Sequence, residues 1–198
     1  MDYKIKTALI LPFKGEWTVG NGGRSPEKNS HYSEDGSTAS NQIFAYDFSR
    51  GHKNDGANLS DYEAFDAEII APANGIVTEV VYDRPDLPIG RKDTVRASGN
   101  KILIDHENGE FSLIAHFKQN SIIVNIGERV NQGQLLGLCG NSGNTTEPHI
   151  HYHLQSGRDS NIAAGLPAQF KRINVNGSVK ENYEPEYPQM ISNYSEAG

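Results

Sequence analysis

Lys101-Ile102-Leu103-Ile104-Asp105-His106-Glu107-Asn108-Gly109-Glu110-Phe111-Ser112-Leu113-Ile114-Ala115-His116-Phe117 consists of two short apolar runs joined by an Asn-Gly pair. Asn-Gly is the strongest short-range signal for a tight hairpin turn, so these residues predict two antiparallel strands. The same grammar repeats outward from the hairpin. Ile69-Ile70-Ala71-Pro72 leads through Gly75 into the strand-like run Ile76–Val81, and a Pro-rich charged loop covers 83–99. Downstream come Ser121–Val124, a turn at Gly127, Val130 and the run Gly133–Gly140. Near the start, residues 1–17 read as a short strand entering Pro12–Trp17, and Ile43-Phe44-Ala45-Tyr46-Asp47-Phe48 as an aromatic strand. Residues 18–42 are a long polar loop, of a length that in a compact domain is usually functional or disordered, and a second polar loop covers 49–60. The one stretch with a helical period, a short one, is 162–171. Short strands spaced regularly by Gly turns predict a mostly β chain, built as an antiparallel sandwich or barrel.

The 198 residues are expected to form a single domain large enough to bury its own core. That core is expected over about residues 8–172, with 173–198, polar toward its end, as an extended C-terminal arm. A net charge of −7 and a pI near 5.5 argue against a general electrostatic footprint for nucleic acid or an anionic membrane. The apolar run Ala8–Leu11 is too short for a signal-peptide core or a membrane span. One cysteine, Cys139, rules out an internal disulfide and a Cys-based zinc site; within Leu135-Leu136-Gly137-Leu138-Cys139-Gly140 it reads as a small core residue. Any metal must be held by histidine and carboxylate.

Chemistry concentrates in Asn141–Gln155, where His149, His151 and His153 alternate with Ile150, Tyr152 and Leu154 behind a Gly/Asn/Pro turn. On a strand the three imidazoles would share a face at about 7 Å intervals. Neutral imidazole is the commonest metal ligand and the side chain best suited to proton transfer near pH 7. Asp47 sits within an aromatic strand, where an isolated carboxylate is costly to bury unless a metal or partner offsets it. The shared-site candidates are therefore Asp47, His116 and the 149/151/153 row, with His31, His52 and His106 in reserve. A catalytic zinc needs three N/O ligands and an open position for water, beside a group that moves protons.

Several of these motifs together resemble the lysostaphin/LytM-type zinc metallopeptidases, which cut peptide bonds in bacterial peptidoglycan. The resemblance runs in order over about residues 66–155: Ala71–Val77; Ile104–Gly109 with Leu113–Phe117; Gly127–Val130 with Gly133–Gly137; and Gly140–Gly143 through Pro148–Tyr152. It implies a small antiparallel β domain of the duplicated hybrid motif type, with long loops lining a groove. It also implies a zinc-dependent endopeptidase holding one zinc per chain, with a peptidoglycan peptide as substrate. By position, His151 and Asp47 would be metal ligands, and His149 and His116 the catalytic base and transition-state stabiliser. His106 would have no direct role. Two positions depart from the pattern. Ile43 stands where the family usually carries its first ligand, four residues before the aspartate, and His153 stands where a Glu is common. His31, in the loop leading to Asp47, is expected to supply the third metal ligand, with His52 as competitor. His153 is expected to orient a neighbouring ligand. Neither nucleic acid nor a membrane span is expected, and the chain is read as a monomer acting in the cell wall, the periplasm or outside the cell. The alternatives are an inactive relative that binds peptidoglycan or regulates a wall hydrolase, and a sugar-phosphotransfer domain using a phosphorylated histidine.

Overall fold

The structure, a computed structural model, describes residues 3–33 and 39–195; residues 34–38 of the expected 18–42 loop and the last three of the expected arm lie outside the described residues. Among the described residues there are two 3-10 turns, Ser40–Gln42 and Leu59–Asp61, and no α-helix. The strands are β1 (Glu16–Asn21), β2 (Tyr46–Ser49), β3 (Glu68–Ile70), β4 (Gly75–Val81), β5 (Asn100–Asp105), β6 (Phe111–Phe117) and β7 (Arg129–Val130). They continue with β8 (Leu135–Leu138), β9 (Ile150–Gln155), β10 (Gly165–Leu166), β11 (Phe170–Val175), β12 (Ser178–Tyr183) and β13 (Met190–Asn193). One antiparallel sheet runs β12-β11-β13-β1-β2-β9-β6-β5-β4-β7, with β10 also on β9, while β3 and β8 form a small second sheet. Among the described residues β12 and β7 end the large sheet without pairing to each other, so it is open and the barrel alternative does not describe it.

Register is what brings the chemistry together. Residues directly opposite one another on paired strands project to the same face. Asn21 pairs with Asp47, Asp47 with His151, His151 with Ala115 and Ala115 with Lys101. A single row across five strands therefore carries all five side chains on one face. On the opposite face Tyr46, Phe48, Ile102, Ile104, Ile114, Ile150, Tyr152 and Leu154 enter the main core, where Tyr46 and Phe48 stack at 5.4 Å. All six residues of β9 are buried, so its apolar/histidine alternation separates core face from site face. On the site face Leu103, Leu113 and Ala115 form a separate apolar cluster, edged by Phe111.

The structure corrects several expected elements. Residues 162–171 form no helix; they pass through β10 into β11, because Leu166, Ala168 and Phe170 bury their side chains in the core. The expected arm from 173 onward is part of the sheet: β13 lies between β1 and β11, with Ile191 buried. Asn193 locks it there, accepting from the Leu11 amide and donating to the Leu11 and Phe13 carbonyls. The first strand begins at Glu16, and the aromatic strand starts only at Tyr46, because a 3-10 turn and the Ala45-to-Gln42 hydrogen bond occupy the preceding residues. Ser121–Val124 forms no strand, although the Ile123 amide donates to the Leu136 carbonyl of β8. Cys139 is fully buried, as a core residue should be, and burial pushes its thiol pKa up.

Candidate metal centre

His31, Asp47 and His151 each offer one donor atom, and these three atoms lie within 4.8 Å of one another. Asp47 holds the group together. Its Oδ2 accepts from Asn21 Nδ2 at 2.8 Å and lies 3.0 Å from His31 Nε2; its Oδ1 lies 2.9 Å from His151 Nδ1 and 3.5 Å from His149 Nε2. Burial alone would raise the Asp47 pKa. The charge of His149 and the hydrogen bonds from His149, His151 and His31 reverse that and hold it well below the usual carboxylate range. Burial lowers the His151 pKa, with Asp47 opposing and the neighbouring imidazoles assisting. A carboxylate and two imidazoles form a donor set that suits a divalent cation of the zinc type.

His31 arrives by loop rather than by strand. Asn29 accepts from the His31 amide at 3.0 Å and donates to the Gly23 and Ala45 carbonyls, each at 3.1 Å. Asn21 accepts from the Ser30 amide at 3.0 Å. Two asparagines thus anchor the backbone on either side of Ser30, and Asn21 ties it to Asp47 as well. His52 lies elsewhere: exposed, with its ring 5.3 Å from that of Tyr62. His106 also lies outside the group, with Nδ1 2.8 Å from the Asn74 carbonyl and Nε2 2.8 Å from Ser112 Oγ.

Two further imidazoles flank the centre. The ring centroids of His116 and His149 are 4.7 Å apart, and His116 and His151 are 5.8 Å apart. Strict alternation would place His116 opposite Ala115, in the core. The β5–β6 register instead skips one residue there, and His116 has φ +66°, so a β-bulge turns its ring back to the site face. His116 Nδ1 lies 2.7 Å from the Ser142 carbonyl, and His149 Nδ1 lies 2.8 Å from the Glu147 carbonyl. A carbonyl can only accept, so each Nδ1 carries its proton and each Nε2 is left to the site, that of His149 3.5 Å from Asp47 Oδ1. Burial and the charges of His149 and His151 hold the His116 pKa well below the usual value. For His149 burial also acts downward, but the Asp47 carboxylate and the Glu147 carbonyl make the net shift upward. The Ser142 carbonyl is held in turn by close packing of Gly99 against Ser142 and Gly143. Both glycines have positive φ, and a Cβ on either would strike the opposing loop.

His153 follows His151 along β9, with Nδ1 3.2 Å from His151 Nε2 and Nε2 2.9 Å from Gln155 Oε1. Burial, followed by the His151 charge, pushes its pKa down to about 3. The structure therefore gathers His31, Asp47, His116, His149, His151 and His153, and leaves out His52 and His106. Sequence reading missed Asn21, Asn29, Thr145 and Gln155. Thr145 Oγ1 lies 3.0 Å from His149 Nδ1. Of the four, Gln155 alone had a visible signal, since it extends the 149/151/153 alternation by one step.

The sequence model for Peptidase family M23 matches residues 54–162, a stretch that includes His116, His149, His151 and His153 but neither His31 nor Asp47. The peptidoglycan DD-endopeptidase ShyA of Vibrio cholerae is 31% identical over 111 residues, covering 54% of this chain and 24% of that protein. Among solved structures, pseudoalterin, described as a novel M23 metalloprotease from the deep sea, superposes with a TM-score of 0.51 at 18% identity, covering 91% of this chain and 87% of that one. A mutant catalytic domain of the prophage-encoded M23 protein EnpA from Enterococcus faecalis gives 0.50 at 20% identity, covering 79% of this chain and 92% of that one. At these identities the two structures speak for the fold alone. The match spans about a quarter of the length of ShyA.

Proposed function

The chain belongs to peptidase family M23, and from that membership we propose that it is a zinc-dependent endopeptidase hydrolysing peptide crosslinks of bacterial peptidoglycan. The observation that carries the reading is the convergence of His31, Asp47 and His151 within 4.8 Å, beside two imidazoles whose Nδ1 atoms are tied to backbone carbonyls and whose Nε2 atoms are left to the site. His31 Nε2, an Asp47 oxygen and His151 Nδ1 would hold the ion. When bound, zinc supplies Lewis acidity to the scissile carbonyl and makes water nucleophilic near neutral pH. The remaining work falls to His149 and His116. Each has its Nδ1 proton committed to a backbone carbonyl, so Nε2 is the atom that takes up and returns a proton. Two imidazoliums at a 4.7 Å ring separation in a buried site would repel, so the pair is suited to sharing one proton. In this scheme that proton leaves water as the carbonyl is attacked and passes to the amine as the C–N bond breaks.

Ile43 motivated the inactive-relative alternative. His31, 3.0 Å from Asp47 Oδ2, supports the enzyme over that alternative. ShyA bears the name of a peptidoglycan DD-endopeptidase, which favours wall peptides as the substrate class and a site of action outside the cytoplasmic membrane. The test combines metal analysis with digestion of purified wall sacculi. About one zinc per chain is expected, together with hydrolysis that chelation abolishes and zinc restores. Full hydrolysis after exhaustive chelation would refute the proposal.

A further inference from the structure

We propose that Gln155 is a positioning residue which, acting through His153, fixes His151 in the form that leaves its Nδ1 available to a metal. The inference deepens the zinc-enzyme reading and rests on it for the identity of the ion. Its starting point is an atom that can only accept. Gln155 Nε2 lies 2.6 Å from the Gly157 carbonyl, which fixes the amide orientation and presents Oε1 to the other side. There Oε1 takes the Asn41 amide as a donor at 3.2 Å and the Ser160 hydroxyl at 3.4 Å, which agrees with its being oxygen. His153 Nε2 meets the same Oε1 at 2.9 Å and must therefore be its donor.

The consequence passes along β9. His153 is 2% exposed and its ring nitrogens face His151 and Gln155, with the Asn41 amide nitrogen, a donor already turned to Gln155 Oε1, at a longer 3.4 Å; none of these is a carboxylate that would support a cationic ring. A neutral ring with its proton on Nε2 has a lone pair on Nδ1. That lone pair lies 3.2 Å from His151 Nε2, so His151 Nε2 must carry a proton. With that proton on Nε2, a neutral His151 presents a lone pair at Nδ1, 2.9 Å from Asp47 Oδ1, an arrangement that is satisfied only when a cation lies between them. The opposite tautomer of His153 would set a lone pair against Gln155 Oε1 at 2.9 Å and leave two acceptors facing each other in a buried site. A carboxylate at position 153 could accept from His151 with no such instruction. An imidazole offers one donor and one acceptor, and something must select which nitrogen is which. Gln155 makes that selection.

The experiment is 15N NMR of the ring nitrogens in the full chain, metal-free and with zinc added, alongside zinc affinity measured with a competing chelator. With zinc bound, wild-type His153 is expected to be protonated at Nε2 and unprotonated at Nδ1, and His151 to be metallated at Nδ1 and protonated at Nε2. Gln155→Met removes the acceptor at similar volume. It should abolish the single His153 tautomer and weaken zinc binding by about 10–100-fold. In a His153→Glu background, where the carboxylate accepts from His151 directly, the same Gln155→Met change should leave zinc affinity unaltered. A merely structural role for Gln155 would cost affinity equally in both backgrounds, and that result overturns the proposal. So does a His153 proton on Nδ1 in the zinc-loaded wild-type chain, a measurement that needs no variant to fold. A wild-type chain that takes up no zinc refutes the zinc-enzyme reading, whereas zinc uptake with the wrong His153 tautomer refutes the role of Gln155 alone.

Discussion

His31→Ala is the sharpest test of how the metal centre is assembled. The ring is 22% exposed and hangs from a loop, yet its Nε2 already lies 3.0 Å from Asp47 Oδ2, so no rearrangement is needed to bring it to a shared ion. Four-ligand structural zinc sites bind with about 10–16 kcal/mol, or roughly 2.5–4 kcal/mol per ligand. At 1.4 kcal/mol per decade, losing one ligand should weaken zinc binding by about 10²–10³-fold. His52→Ala is the control. His52 is exposed, touches Tyr62 and lies outside the cluster, so its removal should change affinity by no more than about twofold, the usual range for a surface substitution. Competition titration of the metal-free proteins against a zinc chelator reads both. Hydrogen exchange adds an independent readout: zinc should slow exchange at Asn29 and His31 in wild type, because ligation couples to the order of the loop, and should not do so in His31→Ala. Native zinc affinity in His31→Ala, with the loss appearing in His52→Ala, would show that the third ligand comes from the other loop.

His116→Ala and His149→Ala should each lower wall-peptide turnover by about 10²–10⁴-fold while zinc stoichiometry stays near wild type, since both are assigned to proton transfer. Loss of zinc in His149→Ala would make it a ligand. A third expectation concerns stability. Glu110 is fully buried and accepts from Tyr3 Oη, the Lys6 and Thr7 amides and Thr7 Oγ1, pinning residues 3–7 to the β5–β6 hairpin. Glu110→Gln turns an NH₂ toward donors that faced a carboxylate, at a cost of about 2–4 kcal/mol by urea unfolding. Burial opposes ionisation of Glu110, but these bonds hold its folded pKa below the ordinary 4.5. Its contribution is therefore complete above that ordinary value and is lost as pH falls through the lower folded value. Glu110→Gln should remove that component, so acid-unfolding curves of the two proteins that differ by a constant offset at every pH would refute the assignment.

The local period of the chain was enough to decide its fold class. Alternation in 101–117 and 149–155 and turn residues at Asn108-Gly109 are short-range signals, and β4, β5, β6 and β9 fall within a residue or so of where they predict. The C-terminal strands were hidden because β12 is exposed along nearly its whole length and so carries no hydrophobic period; hydrogen bonding to β11 makes it a strand. Composition limited a metal site to histidine and carboxylate, and the motif resemblance singled out Asp47, His116, His149 and His151. Which histidine completes the cluster was open between His31 and His52, because spatial closeness across loops leaves no trace in sequence spacing. The fold decided it by register: Asn21 opposite Asp47 opposite His151, with Asn21 also holding the backbone that carries His31. The bulge at His116 and the amide orientation of Gln155 belong to the same class. Each depends on a backbone carbonyl from a segment distant in the chain or beyond the end of the strand, and such a group acquires its direction only when the tertiary structure closes.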